Sequence, residues 1–124
     1  MNKIHSGQIA IVDDDPLVRD GLRDCMESAG YSVEAYGSAE EFLAAIPLRP
    51  PLCLIVDLEL PGISGLEMQG RLRAMGSRVP VVFVTAHGSD LNRELALRDG
   101  AAALLPKPIR RAELLKTVQA AMER

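Results

Sequence analysis

Cysteine, concentrated positive charge and long apolar runs are all missing or scarce in this sequence, and each shortage narrows what the chain can be. Two cysteines, Cys25 and Cys53, neither in a CxxC pair, are too few for a disulfide framework or a zinc site. Both are expected as reduced packing residues. The fourteen Lys and Arg are scattered among seventeen Asp and Glu, giving a net charge of -3. No basic stripe results, so this segment is not expected to contact nucleic acid; DNA, if relevant, is read by something outside it. The polar opening Met1 to Gly7, expected as a flexible tail, leads only to a short apolar run, Ile9 to Val12. That is far below a signal-peptide core or a membrane span, and a cytoplasmic location is expected. No biased or repetitive segment interrupts a composition of 48% apolar and 25% charged residues, which suits an ordinary globular chain. At 124 residues one domain around a single core is expected over 1–124.

What is present is a rhythm of short apolar runs that stop at polar residues. Ile9-Ala-Ile-Val12 reads as a strand buried on both faces, ended by Asp13, Asp14 and Asp15. Pro16 opens a helix on which Val18, Leu22, Met26 and Ala29 recur at helical spacing until Gly30. Tyr31 to Tyr36 is a second strand, and Ser38-Ala-Glu-Glu41 has the form of a capping box for a helix carrying Phe42, Leu43 and Ile46, closed by Pro47 to Pro51. Leu52 to Val56 ends at Asp57 and is followed by the turn-rich Leu60-Pro-Gly-Ile-Ser-Gly65, then a helix to about Met75. Val79 to Val84 ends at Thr85; a weaker helix, about Asp90 to Asp99, leads to Ala101–Leu105, Lys107 and Pro108. A last helix shows Leu114, Leu115, Val118 and Met122 on one face.

Five strands alternating with five helices argue for an α/β fold: an open, doubly wound parallel sheet with helices on both faces. In such sheets ligands bind beyond the carboxyl ends of the strands. Asp13, Asp14, Asp57, Thr85 and Lys107 follow four different strands at that edge and should converge. Carboxylate pairs at ~4 Å repel by about 4 kcal/mol at an effective dielectric near 20. Lys107 and a hard divalent cation would compensate, Mg²⁺ being the natural choice because it takes one or two carboxylates and bridges phosphate. A carboxylate such as Asp57 can attack phosphorus and hold an acyl phosphate, while the cation, Lys107 and the Thr85 hydroxyl each neutralise one phosphoryl oxygen.

Taken together, Ile11-Val-Asp-Asp-Asp15, Asp57 with Leu60 to Gly65, Val84-Thr-Ala86 and Lys107-Pro108 resemble the receiver domain of bacterial two-component response regulators, over essentially the whole chain. The resemblance implies a flavodoxin-like sheet of order 2-1-3-4-5, Asp57 as phosphoacceptor, and a sensor histidine kinase or phosphotransfer protein as donor. It implies Mg²⁺, or Mn²⁺ in its place, held by Asp14 and Asp57 directly, by Asp13 through water and by the backbone carbonyl of Glu59. It implies a cis Lys107-Pro108 bond, and switching through Thr85 to the surface of the fourth helix, fifth strand and fifth helix. It implies a downstream protein or a missing output domain, of helix-turn-helix type, as target, with the chain a monomer or a phosphorylation-dependent dimer. The chain is then either a natural single-domain regulator or an excised segment. One departure stands out: the family's usual switch aromatic, three residues before the lysine, is Leu104 here.

Blander readings stand beside these. Asp15 is expected as a helix N-cap, Asp57 alone could be an ordinary strand-end aspartate, and Arg110 and Arg111 an exposed helix start. His5 is assigned to the tail and His87 to a solvated loop near the mouth of the site, and the Glu59 side chain is expected to point into solvent. The rival enzyme is an Mg²⁺-dependent aspartyl-phosphate phosphatase of haloacid-dehalogenase type, whose signature wants a second Asp where Glu59 stands. A flavodoxin-like cofactor binder would share the fold, but Asp13-Asp14-Asp15 would repel its phosphate.

Overall fold

The computed structural model describes residues 8–45, 50–86 and 90–123, with backbone only for 90–92. Five strands alternate with five helices: β1 Gln8–Val12, α1 Pro16–Ser28, β2 Ser32–Tyr36, α2 Ala39–Ala44, β3 Cys53–Asp57, α3 Gly65–Ala74, β4 Val81–Thr85, α4 Asp90–Arg98, β5 Ala103–Pro106 and α5 Arg111–Met122. The strands form one parallel sheet in the order β2-β1-β3-β4-β5. Neighbouring connections depart from β1 in opposite directions across the sheet, so the carboxyl ends of β1 and β3 flank the crevice where such folds bind ligands.

The side-chain alternation of the strands decides which helix covers which face. Ala10, Val12, Leu54, Val56, Val81, Phe83 and Leu104 pack with Phe42 of α2, Met68 and Leu72 of α3 and Ala96 of α4. Ile9, Ile11, Cys53, Ile55, Val82, Val84 and Leu105 pack instead with Leu22, Cys25 and Met26 of α1 and Leu114, Val118 and Ala121 of α5. The expected single core is therefore two apolar layers separated by the sheet. Burial of both strand faces explains the unbroken apolar runs; each fully buried Val, Leu or Ile contributes roughly 1.5–3 kcal/mol. Among the described residues, no helix is long and apolar enough to cross a membrane.

Local signals place the elements. The Asp15 side chain accepts the Leu17 N–H at 3.0 Å as N-cap of α1, and Pro16 fills the first helical position. α1 ends at Ser28, and Gly30, at φ +97°, takes the left-handed position beyond the cap. Ser38 accepts the Glu41 N–H at 3.0 Å while Glu41 Oε1 accepts from Gly37 N at 2.9 Å, a capping box displaced by one residue at its return bond. Four strand starts fall later than the apolar runs suggest, β3 beginning at Cys53 rather than Leu52. β4 begins at Val81 because Pro80 has no N–H to give the ladder, although its carbonyl accepts from Leu54 N at 2.9 Å. β2 begins at Ser32 rather than Tyr31, whose N–H is spent on the Met26 carbonyl, and β5 at Ala103 rather than Ala101, whose N–H is spent on Ala96. Ile46, His5, His87 and the tail 1–7 lie outside the described residues.

Both cysteines are buried, and burial pushes the Cys25 thiol up and the Cys53 thiol up to about 12. Neither is therefore a thiolate at ordinary pH. Native protein at pH 8 is expected to resist iodoacetamide at both positions, whereas protein in denaturant takes two labels; intact mass measures the difference.

Candidate functional site

The carboxyl edge of the sheet gathers the polar residues that end its strands. Asp13 follows β1 and is fully buried. Its Oδ1 accepts the Asp15 N–H at 2.9 Å, and its carbonyl is held by Arg19 Nη1 at 2.9 Å from the first turns of α1. Asp57 ends β3 with 5% exposure, and its Oδ1 accepts the Glu59 N–H at 3.0 Å. β5 is in register with β4, and Lys107 N donates to the Thr85 carbonyl at 2.8 Å, so the lysine is delivered beside the threonine. From there Lys107 Nζ reaches Asp57 Oδ2 at 3.2 Å and Asp13 Oδ2 at 3.3 Å. The Lys107-Pro108 peptide is cis, as the resemblance implied.

Charge at this edge is out of balance. Asp13, Asp14 and Asp57 each offer a carboxylate oxygen, and these oxygens lie within 4.8 Å of one another. Burial is the main force raising the Asp13 carboxyl above its usual range; the Asp15 N–H opposes this and the Asp57 charge reinforces it. Burial pulls the Lys107 ammonium down, but Asp13 and Asp57 together outweigh that and hold it above its ordinary value. Asp13 Oδ2 is close enough to Lys107 for ion pairing, yet among the described residues it accepts no hydrogen bond. A buried carboxylate oxygen without a donor, facing two further carboxylates, fits a hard divalent cation with oxygen ligands. Among the described residues the clustered donors are carboxylate oxygens, which suit Mg²⁺ or Mn²⁺ better than softer metals.

Thr85, fully buried, ends β4, and here one expectation fails. The Glu59 side chain does not run free into solvent: its Oε2 accepts the Thr85 hydroxyl and its Oε1 accepts the Ala86 N–H at 3.3 Å. Nothing in local spacing signals this, because it depends on the loop after β3 turning toward the end of β4. Arg19 was equally invisible, although its place six residues after Asp13 puts it one turn into α1. Leu104 is buried at 5% in the α4-side layer, in register with Phe83. Gly65, at the start of α3, has no room for a side chain: a Cβ there would meet the Asp57 carbonyl oxygen at 2.7 Å and the Phe83 ring at 3.0 Å. Asp14 is exposed at the rim.

A flavodoxin-like sheet carrying an acidic trio, a buried threonine and a lysine at its open edge belongs to a narrow class, and sequence comparison defines it. The chain matches the response regulator receiver domain over residues 9–119 and belongs to that family, the receiver domains of two-component signalling. It is 39% identical over 116 residues to nodulation protein W of Bradyrhizobium diazoefficiens, covering 94% of this chain and 51% of that protein. Among solved structures it resembles a CheY-like receiver domain protein from Methanospirillum hungatei at a TM-score of 0.87, with 29% identity over 94% of each chain. It also resembles full-length FixJ from B. japonicum at 0.88, with 31% identity, over 97% of this chain and 59% of that one. The chain spans about half the length of the curated relatives it matches.

Proposed function

We propose that the chain is a phosphorylation switch in which Asp57 accepts a phosphoryl group from a phosphohistidine on a sensor histidine kinase or phosphotransfer protein. The observation that carries this is Asp57 itself, nearly buried, paired with Lys107 and within 4.8 Å of two more carboxylates. In the transfer an Asp57 oxygen forms the new O–P bond as the P–N bond breaks, leaving an acyl phosphate. Lys107 neutralises one phosphoryl oxygen, and the Thr85 hydroxyl and Ala86 N–H are donors for another. Asp14, Asp57, the Glu59 carbonyl and, through water, Asp13 would hold Mg²⁺ or Mn²⁺, which would supply charge neutralisation for the remainder. Recruitment of Thr85 shifts β4 against α4, and Leu104, aliphatic rather than aromatic, repacks; the α4, β5 and α5 surface then acts on a partner protein or output domain. A cytoplasmic location suits such a partner.

The phosphatase reading is less well supported. Its general acid would occupy position 59, but that carboxylate is engaged by Thr85 and Ala86, and the motif follows β3. Incubation with acetyl phosphate and Mg²⁺, read by intact mass, tests the proposal. One phosphoryl group is expected on wild type, none with a chelator, and none on Asp57→Asn; equal modification of the variant, or steady multiple-turnover hydrolysis of a phosphomonoester, overturns it.

A further inference from the structure

The Glu59 carboxylate sits on two donors at the end of β4, the Thr85 hydroxyl and the Ala86 N–H. Two donors on one oxyanion form a small oxyanion cradle, and a carboxylate and a phosphoryl group compete for the same kind of donor. The phosphoryl group proposed for Asp57 stands beside that cradle, because Asp57 and Thr85 end adjacent paired strands and the Glu59 N–H is bonded to Asp57. We infer that Glu59 is an internal stand-in for the phosphoryl oxygens, holding Thr85 and Ala86 in the resting form until a phosphorylated Asp57 displaces it. The inference rests on the phosphoacceptor role of Asp57 and adds to it a residue that positions the threonine.

The placement makes displacement feasible. Glu59 is exposed, so its released carboxylate swings into water without a burial cost, whereas Thr85 is fully buried at the end of β4. Charge-assisted hydrogen bonds of this kind are the stronger ones, so their loss reduces the favourable energy left for phosphoryl binding. A Glu59 that merely tumbles at the rim would lack this competition. A Glu59 acting only through its charge would disfavour the phosphoryl group without holding Thr85.

Beryllofluoride, which mimics a phosphoryl group on a carboxylate without a covalent bond, separates these readings when used with saturating Mg²⁺ on wild type, Glu59→Gln and Glu59→Ala. Saturating Mg²⁺ removes any difference in cation affinity, and both variants keep the backbone carbonyl. Beryllofluoride is expected to bind Glu59→Ala about tenfold more tightly than wild type, with Glu59→Gln between them because its amide oxygen still accepts one bond. In amide and methyl NMR spectra without beryllofluoride, the Thr85 and Ala86 signals of Glu59→Ala are expected to move toward the positions they take in bound wild type. Affinities within twofold across the series, or resting Thr85 and Ala86 signals that stay in place, overturn the inference; the second outcome with tighter binding leaves only a charge effect. Wild type that binds no beryllofluoride and gains no phosphoryl group overturns the phosphoacceptor reading itself, and this inference with it.

Discussion

Gly65→Ala is expected to destabilise the protein by about 3 kcal/mol and to degrade the site at the same time. A Cβ at position 65 would lie 2.7 Å from the Asp57 carbonyl oxygen, 3.1 Å from Leu58 Cα and 3.0 Å from the Phe83 ring. Two of those neighbours are backbone, which cannot rotate away, so either the start of α3 or the end of β3 has to move; overpacking of this kind costs about 1–3 kcal/mol and occasionally more. The end of β3 is where Asp57 sits, and its displacement separates the carboxylate from Lys107, now 3.2 Å away. Melting should fall by roughly 10 °C, taking about 4 °C per kcal/mol for a chain of this size. Phosphoryl incorporation should slow by about tenfold or more, since small misplacements at reacting centres are costly. Gly70→Ala is the matched control: it lies within α3, a Cβ there meets nothing within 4 Å, and the same change should stabilise by about 0.5–1 kcal/mol. Calorimetric melts of both variants give the answer, and equal signs would refute the packing argument.

That contrast marks what can be read from the chain alone. The runs Ile9 to Val12, Leu52 to Val56 and Val79 to Val84 announce buried parallel strands, observed at Gln8–Val12, Cys53–Asp57 and Val81–Thr85, because burial on both faces removes any need for alternation. The site residues are equally legible, since each is the first polar residue after such a run. Asp13, Asp57, Thr85 and Lys107 meet because parallel strands place all their carboxyl ends on one edge. The contacts made by loops are not legible. Glu59 looks like a solvated rim residue in the sequence, and its hold on Thr85 depends on how the β3–α3 connection folds over β4. The prohibition on a side chain at Gly65 likewise depends on an approach of α3 to β3 that no local pattern encodes. Sequence patterns thus reveal which residues reach the edge, while three-dimensional packing decides which of them restrain one another.

The restraint on Asp13 leads to the other large effect, an opposition between stability and metal binding at one residue. Asp13 is fully buried, and its carboxyl is raised above the usual range chiefly by that burial and further by Asp57. A raised folded-state value means that the native protein binds this proton more tightly than the unfolded chain. Its stabilising contribution is then complete below the ordinary carboxylate value of 3.8 and is lost as pH rises through the folded-state value. At neutral pH the ionised side chain is therefore a net cost to stability, and on the proposed function that cost is offset by cation binding. Asp13→Asn keeps an oxygen for the Asp15 N–H and removes the repulsion, at the loss of one of the two Lys107 pairs. Without divalent cation the variant is expected to melt about 4 °C higher at pH 7, on the order of 1 kcal/mol, with the difference shrinking as pH falls toward 4. Mg²⁺ should reverse the ranking. A residue that orients metal-bound water typically carries 10–100-fold of metal affinity, so wild type should gain stability from Mg²⁺ concentrations that leave the variant unchanged. Phosphorylation by acetyl phosphate at those concentrations should fall in proportion to the lost occupancy. Calorimetric melts across pH, with and without Mg²⁺, test both halves. A variant that melts lower than wild type in chelator would mean that the Lys107 pair outweighs the burial and repulsion of Asp13, and the fit of a divalent cation to this edge would lose its electrostatic basis.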